Sequence, residues 1–226
     1  MPCRQLIIAF DGPAGAGKST VARLTAKALG FMYLDTGAMY RALALKALAH
    51  GVDLRDQQHL VDLLKETRID LIPEVDQSIR VYLDGEDVTE LLRTPEVNAS
   101  VSLVAGFPDI RCEMVSRQRA VARRGGVVMD GRDIGTVVLP DADVKFFLTA
   151  SLEARAQRRQ QDLQALGYSV SLAQLSSDIE HRDRLDSTRS HSPLRQAADA
   201  ILIDTTDTSV EVVVAKVLEE CRRHVC

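Results

Sequence analysis

The chain reads as an α/β protein layered around a parallel sheet, and three observations carry that reading. Its short apolar runs are rich in Val, Ile and Leu and hydrophobic throughout, as strands buried on both faces are. Segments of helical periodicity fill the intervals between them. The first run leads straight into a glycine-rich spacing that closes on Lys18-Ser19, followed by a helix-like segment. With 226 residues and 46% hydrophobic content, the chain can form one core domain with an insertion.

In chain order, the apolar runs predict strands over 6–10, 31–34, 126–129, 144–148 and 200–203. Helical patterning covers 19–29, 38–50, 56–67, 109–124, 152–166, 172–185 and 210–222. Alternation of the two types implies right-handed crossovers and helices on both faces of the sheet. One region breaks this rhythm. Residues 68–72 and 79–83 alternate apolar with polar across an interval at 73–78, and Asp84-Gly85 then signals a turn. That pattern predicts a small antiparallel sheet with one solvated face. We therefore expect an inserted subdomain over 36–105, with 1–35 and 106–226 forming the core.

The glycine-rich spacing is Gly12-Pro13-Ala14-Gly15-Ala16-Gly17-Lys18-Ser19, followed by Thr20. A strand before it and a helix after it mark a phosphate loop. Small residues let backbone N–H groups turn inward around a polyphosphate, and the helix N-terminus adds its positive end. Lys18 would reach the β- and γ-phosphates and the Ser19 hydroxyl would hold Mg²⁺. The predicted core is thus a three-layer P-loop NTPase fold with a five-stranded parallel sheet.

Ligands of such sheets gather beyond the carboxyl ends of the strands. The second predicted strand ends in Leu34-Asp35-Thr36, the third in Asp130-Gly131-Arg132-Asp133, and the fourth is followed by Ser151. Asp130 is placed like the carboxylate that holds Mg²⁺ through water, and Asp35 competes for that role. Each residue also has a plainer use, since Asp35 or Thr36 can cap the next helix and Arg132 can pair with a carboxylate.

Arginine outnumbers lysine 22 to 6, and thirteen of the arginines fall between Arg111 and Arg195. The planar guanidinium suits bidentate contact with phosphate. Arg155, Arg158 and Arg159 share one helical face by spacing, so they form either a solvated stripe or a cation set closing over a nucleotide. Gly167 and the Gln-rich stretch before it would let 152–170 move as a short helical lid. Arg182, Asp186 and Arg189 share a face if their helix continues, as an ion-pair ladder or as a clamp in which the carboxylate reads an amine. His50, His181 and His191 have no ligand-like partners.

Net charge is −4, which argues against a nucleic-acid partner. No run approaches the roughly 20 apolar residues that cross a bilayer, so no membrane association is expected. Met1 to Gln5 carry no apolar signal core. Cys3, Cys112, Cys221 and Cys226 show no metal-ligand spacing. A cytoplasmic monomer with reduced thiols is the expectation.

Four motifs in this order resemble the bacterial cytidylate kinases: Asp11 to Thr20, Leu34 to Arg41, Asp130 to Val138, and Arg182 to Arg189 with Pro193-Leu194. The similarity runs from Ile8 to about Val217. The resemblance implies transfer of a phosphoryl group from ATP to CMP or dCMP with Mg²⁺. It implies an ATP site from Gly12 to Thr20, and an insertion that serves as the monophosphate-binding subdomain. The implied acceptor site is Thr36, Tyr40, Arg41, Ser102, Arg111, Arg132, Asp133, Arg182, Asp186 and Arg189. Within it, Arg41, Arg132 and Arg182 would hold the 5′-phosphate, Ser102, Arg111 and Asp186 would read the cytosine edge, and Arg189 would reach the phosphates. Lys18, Arg132, Arg158 and Arg159 would be the catalytic cations. A carboxylate can accept from the cytosine amine, whereas uracil presents an oxygen there. Rival readings are a related kinase acting on UMP, AMP or shikimate, or a nucleotide-dependent switch.

Overall fold

The computed structural model describes residues 5–74, 79–123 and 125–225. The first half of the chain forms β1 (Ile7–Asp11), α1 (Lys18–Leu29), β2 (Met32–Asp35), α2 (Thr36–Ala49), α3 (Gln57–Lys65), β3 (Ile69–Pro73), β4 (Ile79–Leu83), β5 (Glu86–Asp87) and α4 (Pro95–Val104). The second half forms α5 (Pro108–Ala122), β6 (Val127–Asp130), β7 (Val144–Thr149), α6 (Leu152–Ala165), α7 (Leu172–Thr188), β8 (Ile201–Asp204) and α8 (Val210–Val225). A 3-10 turn covers Leu91–Arg93 and a π-helical turn covers Ile134–Val138. Cys3, Cys226, the interval 75–78 and the predicted helix end Arg124 lie outside the described residues.

Five strands make one parallel sheet in the order β2-β6-β1-β7-β8. All five were expected, yet each ends one residue later than its apolar run. The added residues are Asp11, Asp35, Asp130, Thr149 and Asp204. Backbone pairing does not require an apolar side chain, so the ladder carries these polar groups to the carboxyl edge.

The sheet is covered on both faces. Ile8 and Phe10 of β1 pack with Val21, Ala22 and Ala26 of α1 and with Val213 and Val217 of α8. The Phe10 and Phe146 rings stack within that layer, centroids 5.0 Å apart. Ala9, on the opposite face, packs with Val115 and Ala122 of α5. This alternation yields the three layers.

The stretch of chain between β2 and β6 carries the antiparallel sheet β3-β4-β5. Its apolar cluster, with Leu43, Leu60, Val97 and Val101, continues into Ile110 and Met114 of α5. Helix α4 was not anticipated. Asn98, Ser100 and Ser102 interrupt its apolar pattern, while Pro95 supplies the first-turn start signal.

Helix α6 pairs with α7 through Ala156, Leu163, Leu175 and Ile179, so the lid segment belongs to a helical hairpin. Helix α7 runs to Thr188, past its expected end, and carries Asp186 in its last turn. Arg189 is extended, with φ −61° and ψ 143°. The helical i+7 placement of Arg189 is therefore corrected: a turn places it, secured by Leu194 N–H donating to Asp186 O at 2.8 Å. No helix among the described residues is long and apolar enough to cross a membrane.

Candidate active site

The phosphate loop follows from backbone geometry. Gly12 has φ +142°, and a Cβ there would lie 2.0 Å from Leu148 O, so only glycine permits this approach to β7. The loop ends at Lys18, where α1 begins. Lys18 is buried, and its Nζ donates to Pro13 O at 2.7 Å. Burial, and next the Arg132 guanidinium, push its ammonium down to about 7.

Helix α6 braces the loop. Arg155 donates to Ala14 O at 3.2 Å and to Ala150 O at 3.0 Å, and pairs with Asp183 of α7. Arg158 donates to Gly15 O at 3.4 Å and to Thr205 Oγ1 at 3.0 Å. Among the described residues Arg159 makes no hydrogen bond or ion pair; burial lowers its pKa, and Arg41 and Arg93 act in the same direction against Asp162. One stripe of three arginines thus divides into two braces and one unpartnered cation.

The two candidate metal carboxylates face each other across the sheet, since Asp35 pairs in register with Asp130. They differ in what they hold. Asp35 accepts from Ala38 N–H at 3.0 Å, capping α2, and from Arg41 at 2.6 Å. Asp130 Oδ2 accepts from the Ser19 hydroxyl at 2.7 Å and Oδ1 from the Tyr33 hydroxyl at 3.0 Å. Burial, then Asp35, raises the Asp130 carboxyl to about 6. Burial and the Asp130 charge hold the Tyr33 hydroxyl protonated, its pKa well above the usual 10. Thr36 donates to Asp130 O at 2.7 Å. That contact requires Gly131, whose Cβ would come 2.6 Å from Thr36 Oγ1.

Two ion groups lie beyond the loop. In the first, Arg132 Nε donates to Asp186 Oδ2 at 2.9 Å, and Ser102 Oγ donates to Asp186 Oδ1 at 3.4 Å. Burial pushes the Asp186 carboxyl up, but Arg132, Arg182 and Arg189 outweigh it and hold the group below the usual carboxylate range. Arg182 adds a buried Nε with no partner, and burial followed by Arg132 lowers this guanidinium to about 10. In the second group, Arg111 pairs with Asp133 and lies over the Tyr40 ring, 5.4 Å from its centroid. Arg189 Nη2 is 3.8 Å from Asp133 Oδ1, so Arg189 stands with this second group. A cleft of about 1060 Å³ opens between the first turn of α1 and the inserted sheet, lined by Ser19, Thr20, Arg41, Arg80 and Arg93 among others.

Two residues that organise the site had not been singled out from the sequence. Asp11, buried, accepts from Ile134 N–H at 2.8 Å and Gly135 N–H at 2.7 Å, fixing the turn after Asp133. In the sequence it stood only as the first residue of the Asp11 to Thr20 motif, with no role of its own. Tyr33 offered none, because an aromatic residue inside a strand reads as core.

Taken together, these residues set Lys18 and a group of arginines, most of them held by carboxylates, between a phosphate loop and a second polar site. Such an arrangement neutralises two polyanions rather than activating a weak nucleophile.

The comparisons with known proteins agree with the geometry. A family model described as cytidylate kinase matches residues 8–223. The chain is 57% identical over 211 residues to a cytidylate kinase of Pelotomaculum thermopropionicum, covering 93% of each chain. It is 55% identical over 216 residues to one of Geobacillus thermodenitrificans, covering 96% of each. Among solved structures, a gluconokinase from Sinorhizobium meliloti superposes with a TM-score of 0.51 at 14% identity, over 99% of this chain and 95% of the other; that likeness shows the fold alone. With the family model spanning nearly the whole sequence and relatives more than half identical, the chain belongs to the cytidylate kinase family.

Proposed function

We propose that the protein transfers the γ-phosphoryl group of ATP to CMP or dCMP, giving ADP and CDP or dCDP. The observation that carries this is the position of Arg132. It bonds Asp186 on the acceptor side, and it is also the strongest charged neighbour depressing Lys18 in the phosphate loop. One guanidinium thus belongs to both halves of the site.

In this reading the loop from Gly12 to Thr20 cradles the triphosphate, and Lys18 leaves Pro13 O for the β- and γ-phosphates. Arg41, Arg132 and Arg182 hold the acceptor phosphate. Ser102, Arg111 and Asp186 frame the cytosine, with Asp133 and Tyr40 against Arg111 and Arg189 on the far oxygen of Asp133. The acceptor is already an oxyanion, so no general base is required. An acceptor oxygen bonds to the γ-phosphorus as the bond to the ADP oxygen breaks, and Arg132, Arg159 and Lys18 stabilise the charge that spreads between them.

A magnesium ion fits the donor set. Hard cations of this size take oxygen ligands and keep several waters, using one or two protein oxygens beside the phosphates. Ser19 Oγ and Asp130 Oδ2 are 2.7 Å apart at the loop, whereas Asp35 is committed to Arg41 and the α2 cap. Ser19 would ligate directly and Asp130 through water, and the bound ion would neutralise phosphate oxygens.

The test is an initial-rate panel with ATP·Mg²⁺ and CMP, dCMP, UMP, AMP or shikimate as acceptor. CMP and dCMP should lead by a wide margin. A faster reaction with any of the other three, or ADP formation independent of acceptor, overturns the reading.

A further inference from the structure

Tyr33 belongs to no motif, yet its hydroxyl binds the carboxylate assigned to the cation. Its ring packs in the core layer with Val128, and the residue is only 5% exposed. The hydroxyl emerges from that layer to donate to Asp130 Oδ1 at 3.0 Å, in a buried bond. Sheet register explains the reach. Tyr33 sits opposite Val128 and Asp35 opposite Asp130, so the tyrosine spans two residues forward along β6, on the face it shares with Asp130. Ser19 occupies the other carboxylate oxygen at 2.7 Å. The two donors divide Asp130 between them, one from the core and one from the nucleotide loop.

The geometry points to Tyr33 as a positioning residue for the divalent cation: by holding Oδ1 it leaves Oδ2 as the oxygen turned towards Ser19 and the cation's water shell. This inference rests on the nucleotide-site reading above. Two features of the surroundings make such a lock useful. The Asp35 carboxylate lies next to Asp130 at the strand ends, so a freely rotating Asp130 would bring like charges together. The Ser19 hydroxyl spends its proton on Oδ2, which keeps its lone pairs for a cation. Removing a partner that orients a metal-binding group typically costs about 10- to 100-fold in metal affinity.

Tyr33→Phe removes the hydroxyl and keeps the ring. Calorimetry with a non-hydrolysable ATP analogue, first in chelator and then in Mg²⁺, gives the factor by which the cation tightens nucleotide binding. In Tyr33→Phe that factor should fall about tenfold, with metal-free nucleotide affinity and CMP affinity held within about twofold. An unchanged factor in the folded variant overturns the proposal. Equal losses with and without Mg²⁺ also overturn it, because they mark a packing role. If Mg²⁺ does not tighten the analogue on the unmutated chain, or still tightens it fully on Ser19→Ala, the nucleotide-site reading itself is what falls.

Should Tyr33→Phe not fold, the unmutated chain labelled with 3-fluorotyrosine serves instead. Its four tyrosines are separable by Tyr40→Phe, Tyr82→Phe and Tyr168→Phe. The Tyr33 resonance should move when Mg²⁺ joins the nucleotide and stay put when CMP binds alone. A resonance that ignores Mg²⁺ overturns the proposal.

Discussion

Arg132 Nε lies 2.9 Å from Asp186 Oδ2, joining the loop after β6 to the last turn of α7 across 54 residues of sequence. Asp186 is the principal counter-charge for Arg132 and also faces Arg182 and Arg189. Asp186→Ala should raise the CMP KM about tenfold or more and erode the preference over UMP, since a polar contact to the base is lost. It should also destabilise the free protein by about 2–3 kcal/mol, below the range for fully buried pairs because Arg132 keeps some solvent contact. Added phosphate should recover part of the lost Tm, as an anion replaces the carboxylate. Unchanged acceptor selectivity would reduce Asp186 to a structural ion pair.

Lys18→Ala should lower kcat by about 100- to 1000-fold, the scale of losing one charge-stabilising donor in a dry site. Its Tm should not fall. The buried ammonium bonds only Pro13 O in the free protein and sits among cations, so removing it relieves desolvation and repulsion. A wild-type kcat, or a large loss of Tm, would contradict this account.

Nucleotide binding should be proton-linked through the same residue. In the free protein the Lys18 ammonium is depressed to about 7, so at pH 8 the amine is mostly neutral. A polyphosphate favours the charged form and raises the pKa, so binding takes up protons. Metal-free calorimetry at pH 8 in buffers of different ionisation enthalpy should report uptake of about one proton per nucleotide. Lys18→Ala should abolish it. Linkage fixes the sign for stability too: with its pKa lowered from 10.5 to about 7 on folding, Lys18 costs the folded chain progressively more as pH falls from about 10.5 to about 7, and no more below that.

Two arginines four residues apart should separate stability from turnover. Arg155→Ala breaks bonds to Ala14 O, Ala150 O and Asp183, and should cost about 2–4 kcal/mol by thermal melting. Arg159→Ala removes an unpartnered cation, so Tm should hold or rise while kcat falls about 100-fold. A lower Tm with normal kcat at Arg159 would make it another brace.

Much of the architecture was legible because it depends on local periodicity. All five core strands and seven of the helices follow from apolar runs, and the phosphate loop follows from a spacing whose steric reason is local. Helix α4 was hidden because its serines and asparagine interrupt the stripe that signals burial. The break after Thr188, which takes Arg189 off the helical face, depends on contacts with 192–194 that spacing does not reveal.

By itself, the sequence determined that the chain forms a layered α/β core with a phosphate loop, an inserted antiparallel unit and an excess of guanidiniums near the strand ends. These are properties of neighbouring residues, written in continuous apolar runs, in periods of two and 3.6, and in one eight-residue spacing. Only the tertiary structure decided the division of labour among like residues. Asp130 rather than Asp35 holds the loop serine, Arg155 and Arg158 bond the loop while Arg159 has no hydrogen bond among the described residues, and Tyr33 reaches Asp130. Sheet register and helix docking set those choices, bringing together groups far apart along the chain so that each can satisfy only the partner within reach.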